Sequence, residues 1–153
     1  MVLCVYTDGM CKNNGKNNTV AGYGIYFGRS DERNVSKKLS GYVTNNIAEI
    51  SAIIHALEIL KSYTEPVEIY TDSKYSILVC TTYGEKCYKN NWKNPNNKKK
   101  EIPNLELVKK AYLLSRELSN VSFHYIRAHT NASDQHSEGN AKADELANLS
   151  IFT

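Results

Sequence analysis

Two short apolar runs, Val2-Leu3-Cys4-Val5-Tyr6 and Val67-Glu68-Ile69-Tyr70, break at the same pattern, Thr7-Asp8-Gly9 and Thr71-Asp72-Ser73. Aliphatic, β-branched and aromatic residues closed by a polar turn read as buried strands. In an open α/β sheet, groups at one end of neighbouring central strands converge on a common crevice. Two strands that both finish on an aspartate are therefore expected to bring Asp8 and Asp72 together.

The pattern between and after these runs sets the rest of the architecture. Residues 20–28 form a second strand, with glycines where backbones approach closely, and residues 34–43 a third, more exposed one. Turn signals between them make antiparallel hairpins the expected connection. Helical spacing then takes over at Ile50, Ile53, Ile54, Leu57 and Leu60, with Asn45 or Asn46 available as cap and Glu49 in the first turn. Pro66 separates this helix from the strand at 67–71, and Asp72-Ser73 opens a helix through about residue 82. A polar stretch from about 84 to 103 precedes a helix near 104–119, where Leu107, Ala111, Leu114 and Leu118 share a face. A strand at 121–128, a loop at 129–138 and a helix opened by Gly139-Asn140 and carrying Asp144 complete the chain. This order predicts an α/β fold, a mixed sheet flanked by helices.

With 153 residues, 41% of them hydrophobic, and no repeat or linker, the chain suits one domain. A formal charge of +3 is too mild to announce a polyanionic partner, so the distribution of charge has to carry that inference. Cys4, Cys11, Cys80 and Cys87 lack zinc-site spacing and read as reduced, packed thiols. The apolar run at residues 2–6 is too short for a signal segment or a membrane span, so a soluble, intracellular and most simply cytoplasmic protein is expected.

Asp before Gly or Ser is a common turn or cap, and any one of these acids alone would be structural. Together, Asp8, Glu49, Asp72 and Asp144 would repel one another unless divalent cations neutralised them. Oxygen-only ligands favour Mg²⁺ or Mn²⁺. Paired ions of this kind suit in-line phosphodiester hydrolysis.

Four ordered segments then carry a family resemblance over nearly the whole chain: Tyr6-Thr7-Asp8-Gly9, Thr44-Asn45-Asn46-Ile47-Ala48-Glu49, Tyr70-Thr71-Asp72-Ser73 and Gly139-Asn140-Ala141-Lys142-Ala143-Asp144-Glu145-Leu146-Ala147. In these the sequence resembles the type I ribonuclease H family. The resemblance implies a ribonuclease H-like fold, a five-stranded mixed sheet of three antiparallel strands then two parallel ones, flanked by helices. It implies Asp8, Glu49, Asp72 and Asp144 as ligands of two Mg²⁺ ions, with Mn²⁺ a substitute. The RNA strand of an RNA/DNA hybrid would be cut to leave 5′-phosphate and 3′-hydroxyl ends. No residues remain for a separate hybrid-binding domain, and nothing demands more than a monomer.

The same resemblance makes His129 the histidine that assists product release or proton movement. Here the sequence departs from the family pattern H-x-G-x-x-G-N. His129 and Asn140 are eleven positions apart (140 − 129), against six in that pattern, so the loop is about five residues longer and His136 competes for the role. Asn14, Asn45 and Asn46 match family positions that touch the minor groove, where amides meet 2′-hydroxyls and base edges; turn formation or helix capping is their plain alternative. Thr44 and Asn104 resemble members of a phosphate pocket for the DNA strand, with Tyr42 where the family often has arginine. Lys86, Lys89, Lys93, Lys98, Lys99 and Lys100 lie in an acid-free segment with Tyr88 and Trp92 and resemble the family's basic protrusion around Asn91-Trp92-Lys93. A junction resolvase or integrase core, and a binding module that has lost catalysis, are the rival readings. The minor-groove asparagines and basic segment count against the first, the four acids against the second.

Overall fold

A computed structural model describes residues 1–13, 18–127 and 134–152. The strands are β1 (Leu3–Lys12), β2 (Val20–Tyr26), β3 (Val35–Leu39), β4 (Val67–Thr71) and β5 (Val121–Tyr125). The helices are α1 (Asn45–Ile59), α2 (Lys74–Cys80), α3 (Thr82–Lys89), α4 (Leu105–Glu117) and α5 (Gln135–Leu149). The sheet order is β3-β2-β1-β4-β5, and its strands run antiparallel from β3 to β1 and parallel from β1 to β5, the mixed sheet that the family resemblance implies. None of the described helices is long and apolar enough to cross a membrane.

Alternation along the central strands divides the sheet between two helical layers. Val5, Ile25 and Ile69 are fully buried and join Ile50, Ile53 and Leu57 of α1 and Val108 and Ala111 of α4 in one core. Tyr6 and Gly24 turn to the opposite face, which α5 covers. That helix lies close because its inward residues Ala143 and Ala147 are small and Gly24 has no side chain. A Cβ on Gly24 would stand 2.6 Å from the Ala147 backbone nitrogen and as near to the Leu146 Cβ. Gly24→Ala is expected to cost about 1–3 kcal/mol through overpacking. It should also lower activity more than its thermal melt explains, because α5 carries Asp144; paired melts and rate assays check this.

Several boundaries differ from those read in the sequence. β1 does not end at Asp8-Gly9, because pairing with β2 runs on from Tyr6↔Tyr26 to Lys12↔Val20 and holds Asp8 inside the strand. β3 stops at Leu39 and β5 at Tyr125, both shorter than predicted. Thr44, not Asn45 or Asn46, caps α1 by accepting from the Ile47 N–H at 3.2 Å. Glu49 is accordingly the fifth helical residue, one past the first turn. The polar stretch after residue 84 begins inside α3, whose fully buried residues are Gly84 and Cys87, with Tyr83 partly buried against the core. A helix of eight residues gives only two turns in which to read a period, and one of its two buried positions is a glycine. α5 starts at Gln135 rather than Gly139, with Asp134 as its cap accepting from the Ser137 N–H at 2.8 Å. Asp144 therefore sits in the third turn of α5, not near its start.

Candidate active site

The parallel pairing of β1 with β4 builds the site. Leu3 pairs with Val67 and Tyr6 with Tyr70, a constant offset of 64, so the same register carried two residues further sets Asp8 (8 + 64 = 72) opposite Asp72. Glu49 reaches them from α1. Its Oε1 accepts a 2.7 Å hydrogen bond from the Gly9 N–H. A Cβ on Gly9 would stand 2.6 Å from the Glu49 nitrogen, so glycine here lets helix and strand approach closely enough for that bond. Carboxylate oxygens of Asp8, Glu49 and Asp72 come within 4.8 Å of one another.

Asp144 completes the cluster from the opposite layer. It lies close enough to Asp8 to act on its carboxyl, and the Asn148 amide donates to its Oδ2 at 3.3 Å. Burial, then the charges of Glu49 and Asp72, then the neighbouring Asp144, push the Asp8 carboxyl far above the usual carboxylate range. Glu49 is raised likewise, by burial first and by Asp72 next, with the Gly9 N–H opposing. Crowded, desolvated acids of one sign are what a bound cation would relieve. The donor set is all oxygen, which fits a hard divalent ion and not a thiolate- or imidazole-seeking one.

The other predicted residues divide. Asn45 and Asn46 are exposed at the start of α1, next to Glu49. Thr44 is the α1 cap. Asn104 stands immediately before α4 in left-handed conformation (φ 58°), its amide 3.4 Å from the Tyr75 hydroxyl. Lys93, Lys98 and Lys99 are exposed between α3 and α4. Trp92 is half-buried; Asn91 and Trp92 both take positive φ, and the Trp92 N–H bonds to the Cys87 carbonyl at 2.8 Å. Its ring thereby folds back edge-on to Tyr88 and Tyr112. Asn14 and His129 lie outside the described residues. His136 is inside α5, against Tyr6 and Tyr70. Sequence reading missed the Gly9 N–H and these two tyrosines; their signal was the position two residues before each aspartate.

A mixed sheet of this order, with acids from β1, α1 and the end of β4 close enough to hold a divalent ion and Asp144 of α5 near Asp8, has the fold and acid arrangement of a nuclease. The ribonuclease H family model matches residues 1–151. A ribonuclease H of Schizosaccharomyces pombe is 41% identical over 144 residues, covering 94% of this chain and 50% of that protein. One from Clostridium botulinum (strain Hall) is 37% identical over 147 residues, covering 94% and 91%. The foamy viral protease-reverse transcriptase, solved in complex with RNA/DNA hybrid, superposes with a TM-score of 0.79 at 25% identity, covering 98% of this chain and 20% of that one. The chain thus spans half the length of the S. pombe relative and nearly all of the C. botulinum one. This chain belongs to the ribonuclease H family.

Proposed function

We propose that the chain is an endoribonuclease that hydrolyses the RNA strand of RNA/DNA hybrids, leaving 5′-phosphate and 3′-hydroxyl ends, with two Mg²⁺ ions held by Asp8, Glu49, Asp72 and Asp144. The convergence of three carboxylates within 4.8 Å carries this reading. When bound, such ions neutralise the scissile phosphate and activate the attacking water. The protein's own part is to hold the ligands in one geometry. Asp8 is buried inside a paired strand and Glu49 is oriented by the Gly9 N–H, so neither has to be ordered when substrate arrives.

Substrate grip falls to residues around the acids. Asn45 and Asn46 offer exposed amides to 2′-hydroxyls and base edges in the minor groove, with Asn14 assigned to the same role by its motif. The Thr44 hydroxyl already accepts from Ile47 and keeps its proton to donate to a phosphate oxygen. Asn104 adds an amide at the start of α4, where backbone N–H groups also favour an anion. Lys93, Lys98 and Lys99 supply phosphate attraction, while Trp92 shapes their segment by packing against the protein. His129 is assigned proton movement or product release by its motif. The single catalytic domain is taken to work as a monomer. The hybrid bound to the foamy viral relative supports this choice of substrate.

Labelled RNA/DNA hybrid, double-stranded RNA and double-stranded DNA, each with Mg²⁺, Mn²⁺ or chelator, test the reading. Metal-dependent cutting confined to the RNA of the hybrid is expected. Cutting of double-stranded DNA would favour a resolvase or integrase activity, and metal-independent binding without cutting a pure binding module. A Lys98→Ala, Lys99→Ala double variant should bind hybrid more weakly and reduce the slope of log affinity against log salt by about 2, one counterion per lost phosphate contact.

A further inference from the structure

His136 stands in the first turn of α5, eight residues before Asp144, and touches both strands that lead to the site's aspartates. Its Nδ1 is hydrogen-bonded to the Tyr6 hydroxyl at 2.8 Å. Its ring lies on Tyr70, with centroids 4.1 Å apart and planes at 21°. Tyr6 stacks on Tyr70 at 5.4 Å, and the two are register partners. Tyr6 precedes Asp8 by two residues and Tyr70 precedes Asp72 by two. Within a strand, residues two apart present their side chains to the same face. His136 therefore grips the sheet one pleat behind the positions of both aspartates.

Toward its C-terminal end α5 is held by the Ser36 hydroxyl of β3, which donates to the Leu146 carbonyl at 2.6 Å, while the contacts between that bond and His136 are smooth. Gly139 lies over the Tyr6 ring, and Ala143 and Ala147 lie against Gly24. Burial of such small surfaces resists separation but is non-directional, so it leaves sliding and rotation weakly opposed. A short hydrogen bond and a stacked ring are directional. Among the four acids, Asp144 alone comes from the α5 layer. Asp8 lies within β1 and Asp72 follows its hydrogen-bonded neighbour β4, and Glu49 is tied to Gly9. The eight helical steps from His136 to Asp144 span about 12 Å of stiff backbone, so the setting of one end is transmitted to the other.

We propose that His136 is a positioning residue of the acid site: by clamping α5 onto Tyr6 and Tyr70 it sets where Asp144 stands relative to Asp8, without touching substrate. The inference rests on the metal-site reading above. Calorimetric Mn²⁺ titration of the free protein, with kinetics on hybrid across Mg²⁺ concentrations, tests it on His136→Ala, His136→Phe, Tyr6→Phe, the Tyr6→Phe/His136→Phe double variant and Asp144→Asn. His136→Ala is expected to weaken Mn²⁺ binding and raise the Mg²⁺ needed for half-maximal rate by about tenfold, the usual range for groups that orient a metal ligand. KM for hybrid should stay within about twofold, because no substrate contact is lost. His136→Phe and Tyr6→Phe, which keep the rings, should each give a smaller shift, and their double variant no more than either alone.

Wild-type Mn²⁺ affinity in both folded phenylalanine variants would overturn the proposal, whether or not His136→Ala folds. So would loss of one limb of the pH–rate profile in His136→Ala without a change in Mn²⁺ affinity, since that marks a proton-transfer group. Unchanged Mn²⁺ affinity in Asp144→Asn would instead sink the acid site itself.

Discussion

Replacing Asp8 by Asn is expected to stop turnover while leaving hybrid binding nearly intact. The asparagine keeps the volume and one carbonyl oxygen, so the strand and its packing persist. It removes the negative charge at the centre of the cluster, where carboxylates from Glu49 and Asp72 lie within 4.8 Å and Asp144 stands beside it. Weakening the hold on the ions sacrifices several kcal/mol of transition-state charge stabilisation. At 1.36 kcal/mol per tenfold, that is a fall of about 10³-fold or more in rate. Binding is supplied mainly by phosphate contacts outside the cluster, so affinity measured in chelator should stay within about threefold of wild type. Single-turnover cleavage and filter binding on the same preparation check both halves. An Asp8→Asn protein that cuts at the wild-type rate would remove Asp8 from the site.

The second expectation is that the metal-free protein loses stability as pH rises, and that the inactivating Asp8→Asn change makes it more stable. Both Asp8 and Glu49 are raised in the folded protein, by burial first and by neighbouring carboxylates next. The folded state therefore holds protons that the unfolded chain releases at ordinary carboxylate pKa values. Linkage then gives the sign: this contribution is fully present below about pH 4 and is lost progressively as pH climbs toward the raised folded values. In chelator, the melting temperature should fall from mildly acidic to mildly alkaline pH. Asp8→Asn should remove much of that fall and gain about 2 kcal/mol near neutrality. For a chain of this size that is about 4–8 °C. Adding Mg²⁺ or Mn²⁺ should raise the wild-type melting temperature and raise that of Asp8→Asn much less, because an ion that binds only the folded state stabilises it by mass action. A wild-type melting curve indifferent to both pH and metal would contradict the crowding of the acids.

The strand-ending aspartates were legible because two local signals coincided, β-branched and aromatic runs and their interruption at Thr-Asp. Asp8 nonetheless lies inside β1, since pairing with β2 overrides the turn tendency of Asp-Gly. Helix α1 was legible from its isoleucine and leucine spacing, but its cap was not. Three capping-competent residues, Thr44, Asn45 and Asn46, stand side by side, and only the backbone path selects the threonine. Helix α3 escaped because it is only eight residues long and one of its two buried positions is a glycine. The roles proposed for Trp92 and His136 also turned on packing. Trp92 folds back toward Tyr112 through two positive-φ residues, and the imidazole meets rings on β1 and β4 that are distant in sequence.

The amino-acid sequence by itself determined which acids the chain carries, the order of its elements apart from α3 and the mixed character of its sheet, because these follow from residue type and short-range periodicity. Tertiary structure alone decided that carboxylates more than sixty residues apart share one desolvated point, and that the Gly9 N–H aims one of them. It also decided how α5 is seated to bring Asp144 against Asp8. Distances between residues remote in sequence depend on strand register and on how closely helices approach the sheet. Register and approach are set by packing across the whole core, which no local stretch of residues encodes.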